Sequence, residues 1–455
     1  MDMKRVLGAA VALSLLSGCG IFKGSGKNKT QVVGERIPIL TSESDVDIDA
    51  TLSDVAVTLP PPVENANWEQ PGGNAAKSMG HLALGASPAI AWTARIPGTT
   101  GKARLGAAPV VADGRLFVMD TQGMVHAFDA KTGARAWETT IKGEAAGKGG
   151  GGFLGLGGSD DGRRAVFGGG VSYGDGKLYA TTGLGDVVRM DPASGKIEWQ
   201  VRPGGPLRGA PSYLAGQLYA ISQDNQLYAL NANDGATVWT SAGTTEMSGV
   251  FGAAAPAIAQ GTVVAGFSSG ELSAYRYENG RIVWQDALSR TSISTSVSSL
   301  SDIDADPVID GGRVYAVGAG GRMVALELVT GQRLWEINVG GIATPWVAGE
   351  WAFVVTSDAK LLCVARTNGK VRWMAQLPRW KNEKKKDNPI NWTAPVLAGG
   401  RLILASSRGQ MVYVAPETGQ ITATTDIDEA VSLPPLVAGS MLYLLGSKGK
   451  ITAWR

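Results

Sequence analysis

The chain has 455 residues, 44% of them hydrophobic and 18% charged, which is enough to bury a large core and too apolar for a disordered chain. A formal net charge of +2 argues against a polyanionic partner held by bulk charge, though it leaves room for a local basic patch. The two cysteines, Cys19 and Cys363, make no disulfide framework if Cys19 has another role, and a zinc site or a Ser-His-Asp triad would have to use His81 or His126, the only histidines.

Residues 1–18 read as a signal peptide. Lys4 and Arg5 form a positive start, and residues 6–16 are a mostly apolar run too short to span a bilayer. Leu16-Ser17-Gly18-Cys19 resembles the bacterial lipobox, which implies that Cys19 is acylated (palmitate among its lipids) and becomes the first residue of the mature chain. An aspartate after the cysteine usually retains such proteins at the inner membrane. Gly20 stands there instead, which implies an outer-membrane, periplasm-facing address. No later segment reaches 18 apolar residues.

Residues 19–78 are expected to form the lipid anchor and a flexible acidic, proline-rich linker, because they show no sustained periodicity. Asp45, Asp47 and Asp49 alternate as at the start of an EF-hand loop. However, Ala50 takes the place of the required glycine and Ala56 that of the bidentate glutamate, so no calcium site is expected. Pro60, Pro61 and Pro62 stiffen the end of this stretch.

From residue 79 to 455 the chain repeats. Slots Pro109, Val171, Pro211, Pro256, Pro307 and Pro345 are each followed 28 residues later by Trp137, Trp199, Trp239, Trp284, Trp335 and Trp373. Pro395 leads to Ala423 in the seventh unit, and Pro435 opens an eighth that the chain ends at Arg455. A constant unit joined by variable connections, rich in the 63 glycines, indicates propeller blades. The first unit reads as four strands, 109–112, 115–119, 124–128 and 134–139, separated by turns at Asp113-Gly114, Thr121-Gln122-Gly123 and Lys131-Thr132-Gly133. The eighth unit lacks its fourth strand. Residues 89–96, with Trp92 in the tryptophan slot, supply that pattern. The expectation is an all-β, eight-bladed β-propeller of four-stranded antiparallel blades, closed by an N-terminal strand.

Residues 127–137 and 189–199 look like the tryptophan-docking repeat of quinoprotein propellers. That repeat is shared by the pyrroloquinoline-quinone (PQQ) dehydrogenases and by the BamB lipoproteins of the β-barrel assembly machinery. The lipobox and a lone eight-bladed ring are similar to the second family. So are Gly205-Pro206-Leu207-Arg208-Gly209 before blade three and Ser301-Asp302-Ile303-Asp304 before blade five. The resemblance implies a non-catalytic scaffold without a cofactor, in which Leu207, Arg208, Asp302 and Asp304 hold the barrel-inserting subunit. Gly205 stands where the family usually has a further leucine, which weakens the apolar part of that contact. By residue type alone, Arg208 is a solvated loop arginine and the aspartates cap turns. On either reading these side chains are expected outside the repeat core, so that replacing them leaves folding intact.

A scaffold of another envelope complex and a PQQ dehydrogenase are the alternatives. The dehydrogenase family uses adjacent cysteines, whereas Cys363 lies alone in the apolar run 361–364 and reads as inert packing. Gly147-Lys148-Gly149-Gly150 lacks the hydroxyl residue that a phosphate-binding loop needs after its lysine, so no nucleotide site is expected. The glycine-rich insertion 143–170 is expected to be a mobile loop, with residues 153–156 as an apolar centre. Residues 381–387 (KNEKKKD) are expected to be a solvated loop, with contact to anionic lipid as the alternative.

Overall fold

The computed structural model describes residues 46–101, 103–142, 168–245, 254–288 and 301–455. The leader, Cys19, the Gly147-Lys148 motif and the apolar centre at 153–156 lie outside the described residues.

Eight four-stranded antiparallel sheets make up the ring. In blade one, Val110–Ala112, Arg115–Met119, Met124–Asp129 and Arg135–Thr140 pair in that order. The first hairpin turns through Asp113 at φ 49° and Gly114 at φ 71°, two left-handed residues whose twist matches that of the flanking strands. The first strands of successive blades touch one another and are buried, so they line the axis. Fourth strands face outward; Ile421–Asp426 of blade seven is exposed at every position.

Blade eight contains Leu436–Ala438, Met441–Leu445 and Lys450–Trp454. Its fourth strand is Ile90–Arg95, with Trp92 opposite Ala453 and Arg95 opposite Lys450. The ring is therefore closed by the N-terminal strand.

Each slot tryptophan bridges two blades. Trp92 Nε1 donates to Ala130 O at 3.0 Å, Trp239 to Tyr277 O at 2.9 Å, and Trp373 to Pro416 O at 2.8 Å. Trp137, Trp199, Trp284 and Trp335 donate to Pro192, Ala232, Leu328 and Arg366 in the same way. The ring face of Trp92 lies on Gly133 (φ 73°), where an added Cβ would come within 2.5 Å of the indole. That glycine sits in the turn between the third and fourth strands of the next blade. The exception at Ala423 follows from this geometry. Its docking turn would belong to blade eight, where the third strand ends at the C-terminus and the fourth begins near residue 90, so there is no turn to dock against.

The structure corrects the expected linker boundary. Residues 65–82 make one circuit of the axis, bonding to each blade in turn. Asn65 Nδ2 donates to Val437 O (2.7 Å) in blade eight, and Trp68 exchanges backbone bonds with Val111 (2.6 and 2.8 Å) in blade one. Glu69 O accepts from Tyr173 N, the Gln70 side chain pairs with the Tyr213 backbone, and Ala75 O and Ala76 O accept from Ile258 N and Ile309 N. Gly80 O accepts from Trp346 Nε1, and Leu82 pairs with Leu397 and Gly399. The inner edges of the first strands carry N–H and C=O groups that need partners, and this segment supplies them. Trp68 and Leu82 are buried at 2% and 1% exposure. The folded unit thus begins well before residue 79. Upstream, Asp49 caps a single 3-10 turn, Ala50–Leu52, with its side chain accepting from Thr51 N, and forms an ion pair with Lys370.

Candidate partner-binding site

The two connections singled out in the sequence meet on the ring. The one entering blade three is pinned on both sides: Arg208 N donates to Ile221 O (2.8 Å), Gln223 N to Pro206 O (2.8 Å) and Gly169 N to Arg208 O (3.1 Å). The one entering blade five is held by Ile303 N donating to Phe267 O (3.1 Å) and Ala319 N to Asp302 O (2.9 Å). Gly266 leaves space for Ile303, whose methyl would lie 2.5 Å from an added Cβ.

Across this junction, Arg208 Nη2 lies 3.1 and 3.2 Å from the two oxygens of Asp302 and 3.1 Å from Asp304 Oδ1. The three side chains are only 7%, 1% and 4% exposed, and Leu207 is wholly buried. This corrects the expectation of solvated loop residues. The connections lie flat against the blades, so the guanidinium is solvated by carboxylates in place of water. Replacing these residues is therefore not neutral for folding. Burial, together with the Asp302 charge, raises the Asp304 carboxyl to about 7 despite the opposing pull of Arg208. Asp304 Oδ2 is buried and has no hydrogen-bond partner among the described residues.

A buried lysine that the sequence did not reveal lies on the axial segment. Lys77, on the axial segment, donates to Ser212 Oγ at 3.1 Å, and burial lowers its ammonium to about 8 against the attraction of Asp306. Burial raises Asp306, opposed by Lys77 and by a 2.7 Å bond from Ala255 N. Lysine in a non-periodic stretch gives no sign of burial, so no sequence signal would have found it.

Both histidines have structural partners. His81 Nδ1 lies 2.7 Å from Pro60 O, while its Nε2 accepts from Gly400 N at 2.9 Å. His126 Nε2 lies 2.8 Å from Asp120 Oδ2, and both side chains are buried. Cys363 is fully buried opposite Phe353 and Trp373, and burial pushes its thiol far above the usual range. Among the described residues no three His, Cys, Asp or Glu side chains converge as a metal-binding group.

A ring of eight blades, seven of whose junctions carry a docked tryptophan, with two connections joined by a buried Arg–Asp–Asp cluster, defines a PQQ-repeat β-propeller. The family model described as "Outer membrane protein assembly factor BamB" matches residues 79–152, 152–375 and 378–454. The chain belongs to the BamB family. A relative of that name from Yersinia pestis is 26% identical over 454 residues, covering 99% of this chain and 98% of the relative. The crystal structure of BamB from Moraxella catarrhalis superposes with a TM-score of 0.67 at 18% identity, covering 81% of this chain and all of that one. Quinohemoprotein alcohol dehydrogenase from Comamonas testosteroni shares the fold, with a TM-score of 0.61 at 14% identity over 90% of this chain and 82% of the enzyme.

Proposed function

We propose that this protein is a non-catalytic scaffold of the outer-membrane β-barrel assembly complex, held on the periplasmic face of the outer membrane by acylated Cys19. It assists insertion by binding the barrel-inserting subunit through the connections that carry Leu207, Arg208, Asp302 and Asp304. The observation that carries the reading is the convergence of these two connections, 94 residues apart in sequence, on one buried charge cluster in a BamB-family ring. The cluster rigidifies both connections, so that flanking side chains such as exposed Pro206 and half-buried Ser301 are presented in one fixed arrangement, which lowers the ordering cost of binding.

The test is affinity purification of the tagged chain from detergent-solubilised envelopes. Recovery of the barrel-inserting subunit supports the reading; recovery of other envelope proteins without it favours a different scaffold.

A further inference from the structure

Two features outside the candidate site meet on blade six. The first is the path by which the chain enters the fold. Residues 46–55 follow the outer edge of Val371–Gln376, the fourth strand. Ile48 bridges Val371 in parallel, Asp49 N donates to Val371 O at 2.9 Å, and Arg372 Nε donates to Val55 O at 2.8 Å. Lys370 Nζ lies 2.8 Å from Asp49 Oδ2.

The second is a hairpin just beyond the end of that same strand. Trp380–Asn382 pairs with Asp387–Pro389, in register at Trp380↔Pro389 and Asn382↔Asp387. The sequence reading expected a plain loop here, and the structure gives a braced arm. Ile390 N donates to Arg379 O (2.8 Å), Arg408 Nε to Pro389 O (3.1 Å) and Trp392 Nε1 to Pro378 O (2.9 Å). Lys381, Lys384, Lys385 and Lys386 are all exposed, and none of their ammonium groups forms an ion pair among the described residues. Glu383 is turned back, accepting from the backbone N–H groups of Arg379 and Trp380 at 3.3 Å. At the base of the arm a groove of about 520 Å³ is lined in part by Leu377, Pro378, Trp380 and Ile421.

We propose that the 380–389 hairpin is a membrane-contacting arm that binds anionic phospholipid headgroups and orients the ring with blade six toward the bilayer. With Cys19 as the anchor, the described chain meets the ring along blade six at the Ile48–Val371 bridge, and the arm leaves the other end of the strand it follows, Val371–Gln376, roughly 17 Å away. Flexible, unpaired ammonium groups suit a fluid anionic surface, and a half-buried tryptophan suits the headgroup layer. The tether part of this argument rests on the reading of Cys19 as the anchor; the basic arm and its groove do not.

The experiment uses residues 20–455 without acyl chains, sedimented with vesicles of phosphatidylcholine alone or mixed with phosphatidylglycerol. A lysine near an anionic surface contributes about fivefold in partitioning. The parent is expected to bind the phosphatidylglycerol vesicles at least about tenfold better, with the preference lost in K381Q/K384Q/K385Q/K386Q and at high salt. These positions are solvent-exposed, so the variant keeps the parent's melting temperature. Equal binding to both vesicles, or a variant that binds like the parent, overturns the proposal. Neither outcome bears on co-purification of the barrel-inserting subunit, which is read separately.

Discussion

Removing Arg208 exposes what the buried cluster does. Arg208→Ala leaves two carboxylates facing each other in a region where all three side chains are less than 8% exposed. Breaking a buried pair in this way costs about 3–5 kcal/mol, far above the roughly 0.5 kcal/mol of an ordinary surface change. The loss depends on pH, and its sign follows from Asp304. Its folded carboxyl is raised to about 7 from the ordinary aspartate value of 3.8, so between these the native state holds a proton that the unfolded chain has released. Stability from this group is present at low pH and falls as pH rises through that window. Arg208 is the attraction that limits the rise, so its removal pushes Asp304 higher still. Parent and variant are then closest near pH 5, where Asp304 is protonated in both. They separate above pH 7, by up to about 1.4 kcal/mol per pH unit for one proton. Urea denaturation at pH 5 and pH 8, read as midpoints at constant slope, measures both effects. Replacing the whole cluster, as R208M/D302N/D304N, should recover most of the stability, because no uncompensated charge remains. A loss below about 0.5 kcal/mol, or one equal at both pH values, would refute the reasoning.

Two further outcomes are expected. Trp239 packs between Tyr219 and Tyr275, each with ring centroids 5.8 Å away, so Trp239→Ala costs about 3–5 kcal/mol, whereas Ala423→Trp adds no comparable stability because blade eight offers no docking turn; thermal melts of the two variants decide this. Cys19→Ala abolishes incorporation of labelled palmitate in growing cells, and continued labelling would assign the lipid to another residue.

The ring was legible because its contacts are local and repeated. A tryptophan 28 residues after six of the slots, and a glycine in each docking turn, are requirements of one packing geometry met in blade after blade. The closing strand was legible for the same reason, since Trp92 carries the repeat without the rest of a blade. The axial segment was not. Trp68, Glu69, Gln70, Ala75 and Ala76 bond to five different blades, so neither a period of two nor of 3.6 arises, and except at Gln70 the pairing is carried by backbone that any residue could supply. At the candidate site, sequence identified the residues but not their surroundings. Nothing in Leu207-Arg208-Gly209 or Ser301-Asp302-Ile303-Asp304 indicates that the two connections meet, and it is their meeting that turns solvated charges into a buried cluster.

The most direct measurement of the central claim is quantitative co-purification of the barrel-inserting subunit, comparing the tagged parent with R208M/D302N/D304N at matched expression, after a melt has shown both to be folded. The account predicts recovery with the parent and strong loss with the variant, since without the buried cluster the two connections are no longer held in one arrangement and binding must bear the cost of ordering them. Equal recovery with both would contradict the assignment of these connections as the binding site, and no recovery with the folded parent would contradict the scaffold function itself.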